Sequence, residues 1–360
     1  MERRDLNRMF DALAPTAEQE QAVLDRLLQT ERKDRPMRKL KKLTVIGIAA
    51  ALMVISCAAA VVTGLDQRLL DYFGASPEQA ELLVPGAMAV DVTVEDNGAT
   101  LHVTQALMDR YNIMILADFT APEGTVLDRD DYIFDAPMGV VPDLLNRAGE
   151  PVELESGWGY QIKVLDDGAP QDNHLSLLFC IELSEGVQSD WDIGGISLCN
   201  GDLVRYGAEP WDKIAVCSGD WSCEVPFTQQ DMGRSIQPNQ AVGDLDGIGI
   251  TLTELYLSPM TLRLQLESET PIPREFGGGI GIRWSQLVNC DKVTLTTRNG
   301  ETIPLTDLGG SAGDQDQDWS FRLAEITALE DLEGGTLNIR IEGGSVDVPL
   351  DGLVSAESVK

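Results

Sequence analysis

Residues 98–122 read GATLHVTQALMDRYNIMILADFTAP and residues 247–271 read GIGITLTELYLSPMTLRLQLESETP; the two stretches align without a gap. Leu101 falls on Ile250, Val103 on Leu252, Thr104 on Thr253, Ile113 on Leu262, Ile115 on Leu264 and Pro122 on Pro271. In each copy apolar residues recur at every second position, the period of a strand with one buried face. Two ordered, internally alternating segments at a fixed offset are the mark of a duplicated unit.

The same alternation extends outward. It begins near Ala89, with Val90, Val92 and Val94, and persists to Val348-Pro349-Leu350. Asn200-Gly201 and Asn299-Gly300 each interrupt an apolar-alternating segment, and Asn-Gly favours the type I′ hairpin turn. Asp220-Trp221-Ser222 and Asp318-Trp319-Ser320 follow these pairs at similar distances. The expected fold is therefore mainly β, with two antiparallel, immunoglobulin-like β-sandwich domains at 89–235 and 236–360. The first would carry an insertion of about fifty residues that includes Trp158, His174 and Trp191. Ser235–Val242 (SIQPNQAV) is polar, contains a proline and marks the boundary.

Upstream the pattern changes. Leu43–Leu65 (LTVIGIAAALMVISCAAAVVTGL) contains no charged residue. A helix of that length crosses a hydrocarbon core of about 30 Å. Arg35, Arg38, Lys39, Lys41 and Lys42 precede it, which places the N-terminus in the cytoplasm and the remainder outside the cell membrane. Residues 1–42 hold 11 Lys/Arg against 8 Asp/Glu, whereas residues 66–360 hold 16 against 51. An acidic exterior of this kind repels nucleic acid and excludes it as a partner. A rival reading starts translation at Met37 and makes Val54-Ile55-Ser56-Cys57 a lipoprotein processing site. The apolar run continuing to Val62 and the helical pattern of residues 1–36 oppose it.

Inside, Leu6, Met9, Phe10 and Leu13 lie on one face of a short helix, and Val23, Leu24, Leu27 and Leu28 on one face of a second that begins at the Thr16/Gln19 capping box. Two short amphipathic helices do not make a core alone, so these eight side chains are the expected partner-binding surface. Just outside the span, residues 66–88 are expected to form juxtamembrane helices, the second opened by a capping box at Ser76-Pro77-Glu78-Gln79.

Catalytic constellations are scarce. The only histidines are His102 and His174, and His102 sits on the strand face opposite Leu101 and Val103, as an exposed or rim residue would. No nucleophile elbow, Walker loop, His-Glu-x-x-His or paired-cysteine motif is present, so neither an enzyme nor a cofactor is expected. Asp314, Asp316, Asp318 and Glu325 fall at positions 1, 3, 5 and 12 of a calcium loop, but Trp319 occupies the position that needs glycine. Solvated loop acids fit them better. Five cysteines follow the span; Cys217 and Cys223 bracket a short loop and are the best candidates for a bridge.

The juxtamembrane GLDQRLLDYFG and the opening of the β region, VDVTVEDNGATLHVTQALMDRYNIMILADFTAPEGT, resemble a family of Gram-positive, mostly gut-anaerobe single-pass membrane proteins. These carry an extracytoplasmic domain of unknown function and are often regarded as anti-sigma factors. The resemblance covers residues 1–125 most clearly. It implies that residues 1–36 hold a sigma factor through Leu6, Met9, Phe10, Leu13, Val23, Leu24, Leu27 and Leu28. The outer domains would then sense an envelope ligand or a protease cut. Unlike zinc-type anti-sigma proteins, residues 1–36 contain no histidine or cysteine. The rival expectation is a tethered envelope-binding or adhesion module without a cytoplasmic partner.

Overall fold

A computed structural model describes residues 64–354 apart from 136–141, 155–157, 169–171, 185, 188–190, 208, 210–211, 229–230, 246, 273–290, 311 and 342–343. The expected inner helices lie outside the described residues, as does all of the apolar stretch before Gly64. Among the described residues, no helix is long and apolar enough to cross a membrane.

The described chain is mainly β, in several antiparallel sheets. Strands β1 (Ala87–Asp96), β2 (Ala99–Met108), β3 (Asn112–Thr120), β6 (Trp158–Leu165) and β7 (His174–Leu183) form a sheet in the order β1-β2-β3-β7-β6. The second copy repeats that order. β12 (Arg234–Ile236) and β13 (Gln240–Leu245) both pair with β14 (Ile248–Leu257), followed by β15 (Thr261–Ser268), β19 (Asp316–Leu323) and β18 (Leu305–Gly309). The single strand β1 is thus two strands in the second copy, parted at Gln237-Pro238-Asn239. Proline cannot donate to a ladder there, and Asn239 takes a left-handed φ of 46°.

The likeness extends to an irregularity. The β2–β3 register slips between Val103 and Gln105, and the β14–β15 register slips between Leu252 and Glu254, the same repeat position. In both, the threonine at the slip donates across the ladder: Thr104 to the Leu116 carbonyl at 3.4 Å, Thr253 to that of Gln265 at 3.2 Å.

Behind the main sheets lie smaller ones. In the first copy β5 (Asp143–Asn146), β8 (Ile193–Leu198) and β11 (Cys223–Pro226) run in the order β11-β8-β5. In the second, β16 (Val293–Thr296), β17 (Thr302–Ile303), β20 (Gly335–Ile341) and β21 (Gly344–Leu350) run β17-β16-β20-β21. Each copy closes over its own core. Phe119, Phe134, Phe179 and Trp221 centre the first, and Leu252, Leu264, Phe321 and Leu337 the second.

Four expectations need correction. The first copy has no single inserted block: β7 follows β3 after nearly the same length of chain as β19 follows β15. Among the described residues, its additional structure is a sheet β10-β9-β4, from β4 (Tyr132–Phe134), β9 (Leu203–Tyr206) and β10 (Lys213–Cys217). Asn200-Gly201 is not a hairpin, because β8 and β9 join different sheets; a Cβ at Gly201 would collide with the Asp135 carbonyl oxygen. The type I′ turn is Asn97-Gly98, with φ of 48° and 78°, joining β1 to β2. The two Asp-Trp-Ser triplets are not equivalent either. Trp221 is buried in a loop of the first core, whereas Trp319 lies in β19 opposite Leu264. Finally, Cys180, Cys199, Cys217 and Cys223 are all thiols. Cys217 closes the β9–β10 ladder opposite Leu203 while Cys223 sits opposite Leu198 in another sheet, so the expected bridge does not form.

Candidate functional site: the helical collar at the junction of the repeats

Asp66 accepts a hydrogen bond from the Arg68 amide and starts α1 (Gln67–Phe73), which Gly74 ends with a left-handed φ of 61°. Ser76 and Gln79 form the expected reciprocal capping box, with Pro77 as the first residue of α2 (Pro77–Leu83). Seven residues each, these helices are too short to persist in water without tertiary support.

That support is a third apolar core. Leu65, Leu69, Leu70, Phe73, Ala80 and Leu83 pack on Leu107, Met114, Leu116 and Leu178, which line the outer face of the first main sheet. Met232, Met260 and Ile326 complete the cluster from the second half of the chain.

Polar bonds fix how the chain enters. The buried Gln105 amide, beside the β2 slip, donates to the Gly64 carbonyl and accepts from the Asp66 amide, both at 2.8 Å. Arg68 pairs with Asp66 at 2.9 Å, with Asp118 on β3, and donates to Ser176 on β7 at 2.7 Å. Burial works against the Arg68 charge, but the hydrogen bonds to Asp66 and Asp118 outweigh it and raise its pKa. Burial likewise opposes the Asp66 charge; the bonds from Arg68 prevail and hold its carboxyl below the usual range. Asp118 also faces the His174 ring, 3.3 Å from Nε2, while Asp167 lies 2.8 Å from Nδ1.

The collar is bonded to the second repeat as well. Gln79 donates through Nε2 to the Ile326 carbonyl at 2.8 Å. The Tyr72 ring lies 5.2 Å from Lys163 Nζ of β6 and 4.9 Å from the Arg322 guanidinium of β19. Lys163 also donates to the Tyr72 hydroxyl at 3.1 Å.

Beneath the collar the repeats meet through their hairpin turns. Asp109 and Ser258 occupy the same repeat position, as do Asn112 and Thr261. The Ser258 hydroxyl donates to Asp109 at 2.7 Å, and Asn112 Nδ2 donates to the Thr261 hydroxyl at 3.0 Å. Asp109 also accepts from the Tyr111 and Asn112 amides, both at 2.9 Å. Contact between equivalent positions is the self-complementary arrangement of a two-fold axis. Burial raises the Asp109 pKa despite these donors. Nearby, Arg263 pairs with Asp318 at 2.8 Å, lies 4.3 Å over the Tyr111 ring and donates to the Ser184 carbonyl of the first repeat.

The residues singled out from sequence divide as follows. Leu6, Met9, Phe10, Leu13, Val23, Leu24, Leu27 and Leu28 lie outside the described residues. Asp316 and Asp318 are in β19, with Asp318 engaged by Arg263, and Glu325 follows that strand rather than closing a loop around it. Among the described residues, no group of three His, Cys, Asp or Glu is placed to hold a metal. His102 is exposed, its Nε2 lying 2.9 Å from Asp91. Gln105, Arg68, Asp118, Tyr72, Lys163 and Arg322 were missed. Aligning the outer-face positions of the two repeats, rather than only their cores, would have drawn attention to that surface.

No protein-family model and no curated protein matches the chain. Among solved structures, it is similar to a conserved domain protein from Bacillus anthracis, at 14% identity and a TM-score of 0.45. That likeness covers 72% of this chain and 80% of the other.

Proposed function

We propose that the chain is a single-pass envelope signalling protein of the anti-sigma type. The apolar stretch before Gly64 crosses the membrane, the two β-sandwich repeats lie outside, and Leu6, Met9, Phe10, Leu13, Val23, Leu24, Leu27 and Leu28 hold a sigma factor inside; Gly64 and Leu65, expected in the span, belong to the collar. The observation that carries this reading is the collar. The residues that follow the apolar stretch fold into two short helices, and their order depends on contacts with both repeats at once. A change at the junction of the repeats therefore reaches the end of the membrane span, whereas a simple tether needs no such coupling. An envelope ligand, a load or a proteolytic cut that loosens the collar would release the inner helices.

The test is capture of interacting proteins by the full-length chain in detergent, alongside its Leu24→Asp/Leu27→Asp variant. Recovery of a sigma factor by the native chain alone is the expected result. Recovery by neither overturns the proposal in favour of a tethered envelope-binding module.

A further inference from the structure

A cavity of about 300 Å³ opens where the three bodies meet, a volume at the lower end for small-ligand sites. Its wall includes Tyr72 of the collar, Lys163, Cys180 and Glu182 of the first repeat, and Leu308 and Arg322 of the second. The two cations flank the Tyr72 ring, and among the described residues neither lies within ion-pair distance of a carboxylate. The opposite charge is close by and poorly served. Glu182 Oε1 is buried with no hydrogen-bond partner. Burial raises the Glu182 pKa, opposed by Ser320 and Arg263, while Asp109 and Asp318 add to the rise. Burial also raises the Cys180 thiol pKa, opposed by Lys163, Tyr72 and Arg322.

An anion alone would answer the cations and leave Glu182 without a donor; a cation alone would do the reverse. We propose that this cavity binds a small zwitterion of amino-acid or dipeptide size, its carboxylate held by Lys163 and Arg322 and its ammonium donating to Glu182. Met114 and Leu308 offer apolar wall to a short aliphatic side chain. Such a ligand joins collar, first repeat and second repeat in one set of bonds and tightens the junction. In naming the effector class, this inference rests on the proposed function only for its consequence in the cell; binding itself does not depend on it.

The experiment is calorimetric titration of the detergent-solubilised full chain with L-alanyl-L-alanine, its N-acetyl derivative and its methyl ester. The expected result is saturable binding of the free dipeptide, with each blocked derivative weaker by about 10- to 100-fold, the loss of one charge-assisted bond. Glu182→Gln should weaken the free dipeptide comparably and Lys163→Met should do the same, while thermal unfolding checks that both variants remain folded. Bound dipeptide should also slow amide exchange in residues 67–83. No binding of the free dipeptide, or equal binding of all three compounds, overturns the site and leaves the sigma-factor reading to its own capture test. Binding without slowed exchange overturns the tightening of the junction.

Discussion

The two main sheets share strand order, register slip and hairpin geometry, yet their outer faces are chemically opposite. Leu107, Met114, Leu116, Leu178 and Cys180 on the first correspond to Tyr256, Arg263, Gln265, Asp318 and Ser320 on the second. The buried inner faces need only fill a core, so both copies keep apolar alternation there. The outer faces record what each sheet meets. The helices over the first meet Leu107, Met114, Leu116 and Leu178 with apolar side chains, whereas the second meets the Tyr111 ring and the Ser184 carbonyl, which Arg263 serves. The division of roles between the repeats lies in these five positions.

Transferring the second face onto the first is the severest test of that comparison. Leu178→Asp places a carboxylate in the apolar cluster of Leu69 and Leu70, where the cross-strand Lys163 is already engaged with Tyr72. The expected cost is about 4–5 kcal/mol, the range of exceptional core lesions. Amide exchange should show α1 and α2 unprotected while the inner core around Phe119 and Phe179 stays protected. Equal loss of protection in both would mean that the collar is part of the first repeat rather than a separate body docked on it.

The reverse transfer is smaller and separable. Arg263→Met removes the cation beside Asp318 and should destabilise the chain by about 2–3 kcal/mol, because a partly buried carboxylate loses its charged partner. Adding Asp318→Leu gives the second sheet the first sheet's residues at both positions and should recover most of that loss. Chemical denaturation of the two variants measures the difference. If the double variant is as unstable as the single one, the contacts of Arg263 with Tyr111 and Ser184 outweigh its pairing with Asp318.

At the turns the asymmetry is one of charge, Asp109 against Ser258. Because burial sets the folded Asp109 pKa above its unfolded value of about 3.9, the folded chain binds this proton more tightly. Its contribution to stability is full below the unfolded value and is lost as pH rises through the folded one. Asp109→Asn keeps the shape and removes the titration. At neutral pH it should gain about 1–2 kcal/mol, and the gain should vanish in acid. Urea midpoints between pH 4 and 8 check the sign; a loss at neutral pH would show that the donors around Asp109 outweigh its desolvation.

Much of this architecture was legible in the chain because period-2 burial and turn chemistry act locally. The alignment of 98–122 on 247–271 located β2, β3, β14 and β15 and even placed Thr104 on Thr253, the residues at the two register slips. What it could not read was partnership between distant strands. Asn200-Gly201 has the composition of a hairpin, but β8 and β9 are drawn apart by β5 and β4, which pair with them from earlier in the chain. The cavity was invisible for the same reason. Tyr72, Lys163, Glu182 and Arg322 carry no motif and come together only when the two repeats and the collar are packed.

The collar's first half and second half also differ, and the smallest predicted effect exploits this. α1 is held by the Gln105 amide and by Arg68 bridging Asp66 to Asp118, so its start is fixed by bonds to the sheet. α2 depends for its start on a local device, Ser76 accepting from the Gln79 amide at 3.3 Å while the Gln79 side chain accepts from the Ser76 amide at 2.8 Å. Ser76→Ala removes one of these bonds at an exposed site and should cost about 1 kcal/mol. The loss should appear as faster amide exchange in residues 77–83 with little change in residues 67–73. Gln79 also bonds to Ile326, so a loosened cap should weaken the hold on the second repeat before it weakens that on the first. Equal acceleration across both helices would show that the collar opens as one cooperative unit, and a perturbation at either repeat would then reach Gly64 in a single step.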